Sequence, residues 1–118
     1  MNNQNEFFNK NIVITGASSG IGLSAAFYFL NCNVNLIIKT DLEKKEQIEI
    51  LLAFITKLFN SIDIFINCAG IILDSDIEKT NEEDFKYTIN TNLRSVFIIL
   101  KELRLYFSQD ASIINLSY

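Results

Sequence analysis

Short apolar runs alternate along this chain with longer stretches in which apolar residues recur every three or four positions. Ile12-Val13-Ile14, the run 34–38, the run 62–66 and the run 112–116 are brief, rich in Ile and Val, and bounded by turn-forming or polar residues, as strands are. The stretch 20–32 places Ile21, Ala25, Phe29 and Cys32 on one side of a helix, and Asn33 follows as a left-handed stop. The next stretch, ending near Phe59, carries Ile48, Leu51, Leu52, Ile55, Leu58 and Phe59 at helical spacing. A third, 85–107, repeats it with Phe85, Ile89, Leu93, Val96, Phe97, Leu100, Leu103 and Phe107. Thr40-Asp41-Leu42-Glu43 and Thr80-Asn81-Glu82-Glu83 both match a capping box, which predicts helices opening there. Residues 71–79 read as a surface loop and 108–110 as a turn. Residues 1–10 read as a polar lead-in with Phe7 and Phe8 packing near the first strand.

The order is therefore β-α-β-α-β-α-β. Alternating helices and apolar strands predict an α/β fold: a doubly wound, mostly parallel sheet of about four strands covered on both faces. No repeat or linker divides the 118 residues, so one domain is expected. The net charge of −4 argues against nucleic acid or an anionic membrane as partner. No apolar run is long enough to span a bilayer, and the first residues resemble no secretory signal. Cys32 and Cys68 sit in apolar company and read as reduced core residues of a cytoplasmic protein. With no histidine, neither a metal site nor a histidine-activated nucleophile is expected.

Candidate chemistry concentrates in the turn after the first strand. Three of the four glycines, Gly16, Gly20 and Gly22, fall there in the spacing G-x-x-x-G-x-G, after a β-type run and before a helical one. Glycines let backbone approach a ligand closely, and a helix N-terminus offers unpaired N–H groups and a favourable dipole to phosphate. That combination suits a dinucleotide's diphosphate.

Thr15-Gly16-Ala17-Ser18-Ser19-Gly20-Ile21-Gly22 resembles the cofactor turn of the short-chain dehydrogenase/reductases, Rossmann-like oxidoreductases that use NAD or NADP. The resemblance implies cofactor contacts from Thr15, Gly16, Ser18, Ser19, Gly20, Ile21 and Gly22. Asn67-Cys68-Ala69-Gly70 is similar to the family's Asn-Asn-Ala-Gly turn, with Cys68 in place of the second Asn. The resemblance places Asn67, Ala69 and Gly70 beside the adenosine half of the cofactor. Asn90-Thr91-Asn92-Leu93-Arg94-Ser95 resembles the start of the family's long helix, where Asn92 matches an Asn that shapes the helix and helps hold a proton-relay water. The segment 112–117 resembles the strand leading to the catalytic serine, with Ser117 at the first position of the serine pair and Tyr118 at the second.

Two departures qualify the resemblance. The run 34–38 passes directly into Lys39-Thr40-Asp41-Leu42, so one helix and most of one strand of the family pattern are missing. Asp41 then has three readings: an acid for the ribose hydroxyl, a contact for adenine, or a helix-start residue complementing the dipole. Lys39 would instead favour the 2′-phosphate of NADP. The second departure is chemical. Four residues beyond Tyr28, Tyr87 and Tyr106 stand Cys32, Thr91 and Asp110, and Tyr118 is the last residue, so no Tyr-x-x-x-Lys exists. In the family that tyrosine passes the proton and the lysine lowers its pKa.

The expectation is a single NAD(P)-binding domain, 1–118, lacking the C-terminal catalytic part of an oxidoreductase whose parent family acts on small alcohols and carbonyls. It is expected not to catalyse that reaction, and to associate into homo-oligomers through an apolar last edge strand and an exposed stripe on the long helix. The alternatives are a non-enzymatic nucleotide-binding or interaction module, or a truncated product without function.

Overall fold

The structure is a computed structural model that describes residues 6–17, 20–39, 42, 44–71 and 75–116. Its centre is strand β1 (Asn11–Thr15), whose Ile12, Val13, Ile14 and Thr15 are all fully buried. Successive strand side chains point to opposite faces, so Ile12 and Ile14 enter one apolar cluster and Val13 the other. Parallel to β1 run β2 (Asn35–Lys39) on one side and β3 (Ile62–Asn67) on the other. Strand β4 (Phe107–Asn115) pairs in parallel with β3, giving the order β2-β1-β3-β4. The predicted parallel α/β sheet of four strands is present.

Helix α1 (Gly20–Leu30) covers one face. It buries Gly22, Ala26 and Phe29, whereas Ile21 is 68% exposed. Of the row Ile21, Ala25, Phe29 and Cys32 grouped on one side by the sequence, Phe29 and Cys32 are buried but Ile21 is not, because the helix seats Gly22 against the β1 turn. The chain leaves α1 at Asn33, whose φ of 53° is the predicted left-handed stop. Phe7 packs edge-on against Tyr28 and Phe29, while Phe8 is exposed.

Helix α2 (Lys45–Leu58) lies on the other face and buries Ile48, Leu51 and Ile55; Phe59, just beyond, is buried too. It opens later than the Thr40 capping box predicts. Lys44 is its N-cap, and the Lys44 N–H donates to Gln47 Oε1 at 2.9 Å. A lysine side chain cannot accept a hydrogen bond, so only this half of a box forms. Thr40, Asp41 and Glu43 lie outside the described residues.

The third helical stretch is in three parts: α3 (Glu82–Ile89), a five-residue π turn (Asn90–Arg94) and α4 (Ser95–Leu103). Its cap is Asn81, whose side chain accepts from the Asp84 N–H at 2.8 Å, and not Thr80, which donates to Asp76 O instead. The inward row is Thr91, Ser95, Ile99 and Leu103. Phe85, Ile89, Leu93 and Phe97 are exposed and form the apolar stripe expected on the long helix. The small Thr91 and Ser95 allow the close approach that larger side chains would prevent, and Ser95 Oγ satisfies itself by donating to Thr91 O.

Residues 108–110, expected as a turn, belong to β4. The register runs from Ile62↔Phe107 to Ile64↔Ser112, so 108–111 face Asp63 alone as a long bulge. The helix correspondingly stops at Leu103, and Phe107 starts the strand.

α1 carries the chain outward from β1 to β2, and α2 brings it back past β1 to β3. The direction of winding reverses between β1 and β3. In open α/β sheets the crevice at the carboxyl ends of two such strands is where ligands bind.

Candidate cofactor site

That crevice is built by three backbone segments in contact. Gly16, at the end of β1, has φ of 73°, and a Cβ there would meet Ala69 N and Cys68 C at 2.4 Å. Gly22, in the first turn of α1, would bring a Cβ to 2.2 Å from Gly16 O. Only glycine at both positions lets the β1 turn touch the β3 turn and the start of α1. Gly20 differs: its φ is 58°, and a Cβ there would meet nothing within 4 Å. The open space beside Gly20, at the N-terminus of an eleven-residue helix, fits an anionic group approaching the backbone.

One amide of the turn is already engaged. The Gly16 N–H donates to Lys39 O at 2.7 Å, which ties the turn to the end of β2. Reading all the turn's amides as free for a ligand is thus corrected at Gly16. Ser18, Ser19, Asp41 and Ser117 lie outside the described residues. Lys39 is half-buried and in register with Thr15.

Behind the crevice, Thr15 Oγ1 donates to Asn67 Oδ1 at 2.7 Å, with both residues buried. The Cys68 N–H donates to Thr15 O, and Leu116 N–H to Asn67 O. Ala69 is buried and Gly70 half-buried. Asn92 reaches across to the β3 turn: its Oδ1 accepts from the Ile71 N–H at 2.7 Å and its Nδ2 donates to Ile71 O at 2.8 Å. The sequence offered no sign of Ile71 as the partner, because backbone groups carry no residue signature. The neighbouring Thr91 Oγ1 is buried without a hydrogen-bond partner among the described residues.

Cys68 points into the α1-side cluster with Ile14 and Ala17. Burial pushes its thiol pKa above the usual 9.0, which favours the protonated form. Both cysteines are unpaired, and no group of three metal-ligating residues occurs among the described residues. No helix among the described residues is long and apolar enough to cross a membrane.

Fold and site define an α/β chain with a glycine turn at the switch point of a parallel sheet. Residues 28–118 match the family model described as enoyl-(acyl carrier protein) reductase. The chain belongs to the short-chain dehydrogenase/reductase family. It is 33% identical to an oxidoreductase of Thermotoga maritima, over 80% of this chain and 47% of that protein. It is 32% identical to a NAD-dependent glycerol dehydrogenase of Listeria innocua, over 76% of this chain and 44% of that one. The structure of a short-chain dehydrogenase/reductase of Brucella melitensis superposes with a TM-score of 0.86 at 26% identity, covering 96% of this chain and 58% of that one. The chain spans about half the length of the relatives it matches. The Thermotoga alignment runs over 118 positions yet uses only 80% of this chain, so that relative has residues within the aligned span that this chain lacks.

Proposed function

We propose that this chain binds the diphosphate of NAD or NADP at the amide-rich start of α1, as the cofactor-binding part of a short-chain oxidoreductase. The observation that carries this reading is the Gly16–Gly22 contact, which brings the helix N-terminus to the crevice between β1 and β3. Gly20, Ile21 and Gly22 would present amides to the diphosphate, with Ser18 and Ser19 beside them. Asn67, Ala69 and Gly70 would wall the adenosine half, steadied by Thr15 and by the Asn92–Ile71 clamp. When bound, the nicotinamide group would supply the hydride chemistry, on a small alcohol or carbonyl in the parent family. The 118 residues contain no Tyr-x-x-x-Lys, so taken alone they are proposed to bind the cofactor without turning it over. Unpaired buried cysteines favour a cytoplasmic setting.

Lys39 at the end of β2 supports NADP, and the likeness to a NAD-dependent relative supports NAD. Fluorescence titration with NADH and with NADPH should show saturable binding of at least one. A folded chain that binds neither would refute the reading and leave an interaction module in its place. Steady oxidation of either cofactor with carbonyl substrates would overturn the proposed loss of catalysis.

A further inference from the structure

We propose that two copies of this chain pair antiparallel along the outer edges of their β2 strands. Among the described residues β2 is an edge of the sheet. The hydrogen-bond parity shows which groups it leaves open. The Asn35 N–H donates inward to Lys10 O, and Lys39 O accepts inward from the Gly16 N–H. The odd-numbered residues therefore face β1, and the N–H and C=O groups of Leu36 and Ile38 point outward.

The strand Asn35-Leu36-Ile37-Ile38-Lys39 is self-complementary about Ile37. An antiparallel twofold there sets Leu36 opposite Ile38 of the second copy, and Ile38 opposite its Leu36. Both are hydrogen-bonded pairs, since both members carry outward-pointing groups. The one charged side chain of the strand, Lys39, then meets Asn35 of the second copy and not another lysine. The edge therefore has no like-charge clash of the kind that guards natural edges.

Area narrows the geometry further. A stable pair hides roughly 800 Å² per partner, more than five strand residues offer, so the flank of α2 must share in the contact. It is suited to that. Leu58 lines an open groove with Leu36 and Ile37, and Phe54 lies one turn back along the helix. These two are 58% and 57% exposed, and Ile38 is 43% exposed. Phe54 and Leu58 lie on the α2 side with Ile37, and Ile38 on the opposite side with Leu36, so the second copy covers apolar side chains on both sides of the paired edge.

Sedimentation of the full chain across a hundredfold concentration range should show a monomer–dimer equilibrium. Ile38→Pro removes an outward N–H and leaves the ladder to β1 intact. It should weaken dimerisation at least tenfold while the far-ultraviolet circular dichroism is unchanged. Should that variant not fold, Ile38→Lys, which puts charge on the same edge, should have the same effect. Ile37→Cys, which sits on the twofold, should form a disulfide-linked dimer on mild oxidation. A wild-type chain that stays monomeric throughout overturns the proposal, and so does a dimer that survives both Ile38 variants or gives no Ile37→Cys cross-link.

Discussion

Gly16, Gly20 and Gly22 occupy one turn for three different reasons. Gly16 needs both a positive φ and the space against Ala69. Gly22 needs only the space against Gly16 O, and Gly20 needs only its positive φ. The difference is measurable. Gly22→Ala must push the backbone apart and should cost about 2 kcal/mol or more in urea unfolding, within the usual range for overpacking. Gly20→Ala should cost about 1 kcal/mol, the penalty of a left-handed alanine with nothing to strike. Equal losses from the two would show that the close contact at Gly22 is not what shapes the crevice. The glycine spacing was legible in the sequence because only this residue type permits it. The engagement of the Gly16 amide was not, because its partner is a carbonyl supplied by whichever strand lies alongside.

At the scale of elements, the strands, the helices and the exposed stripe of the long helix were readable from periodicity, but the small residues Thr91 and Ser95 of its inward row were not. Large apolar side chains at helical spacing mark a stripe, and a stripe marks the core only when enough sheet lies beneath it. Here the row Thr91, Ser95, Ile99 and Leu103 faces inward and the aromatic row faces out. The polar residues 108–110 similarly read as a turn, because a bulge and a turn use the same residue types. Asn92 is the joint between elements: its amide holds Ile71 by two hydrogen bonds and so ties the π turn to the loop after β3. Asn92→Ala leaves the partly buried Ile71 amide and carbonyl without that partner and should lower stability by about 1–3 kcal/mol. Hydrogen exchange at the Ile71 amide should rise in the same variant. Unchanged protection there would mean that the clamp does not hold the loop.

For the whole molecule, strand order decides what is covered. Four strands carry one helix on one face and two helical stretches on the other. Leu93 and Phe97, in the outer row of the long helix, are 63% and 62% exposed. Apolar area of that kind drives association at high concentration. The double variant Leu93→Ser, Phe97→Ser should therefore reduce pelleting of the concentrated chain without lowering its unfolding midpoint. A lowered midpoint would mean that this row is packed in solution. This route to association is separate from pairing along β2 and is distinguished from it by the variants that abolish each.

The wide turn at Asn90–Arg94 has a consequence for the chain's tolerance of length change. A turn closed from Ser95 N–H to Asn90 O encloses one residue more than a regular helical turn. Taking out solvent-facing Leu93 alone would let the two flanking segments join as an ordinary helix with Ile99 and Leu103 still aimed at the sheet. The same excision within α4 would swing every later side chain by about 100°, the angular step of a helix with 3.6 residues per turn. Within the π turn this helix can lose one residue without turning its buried side outward.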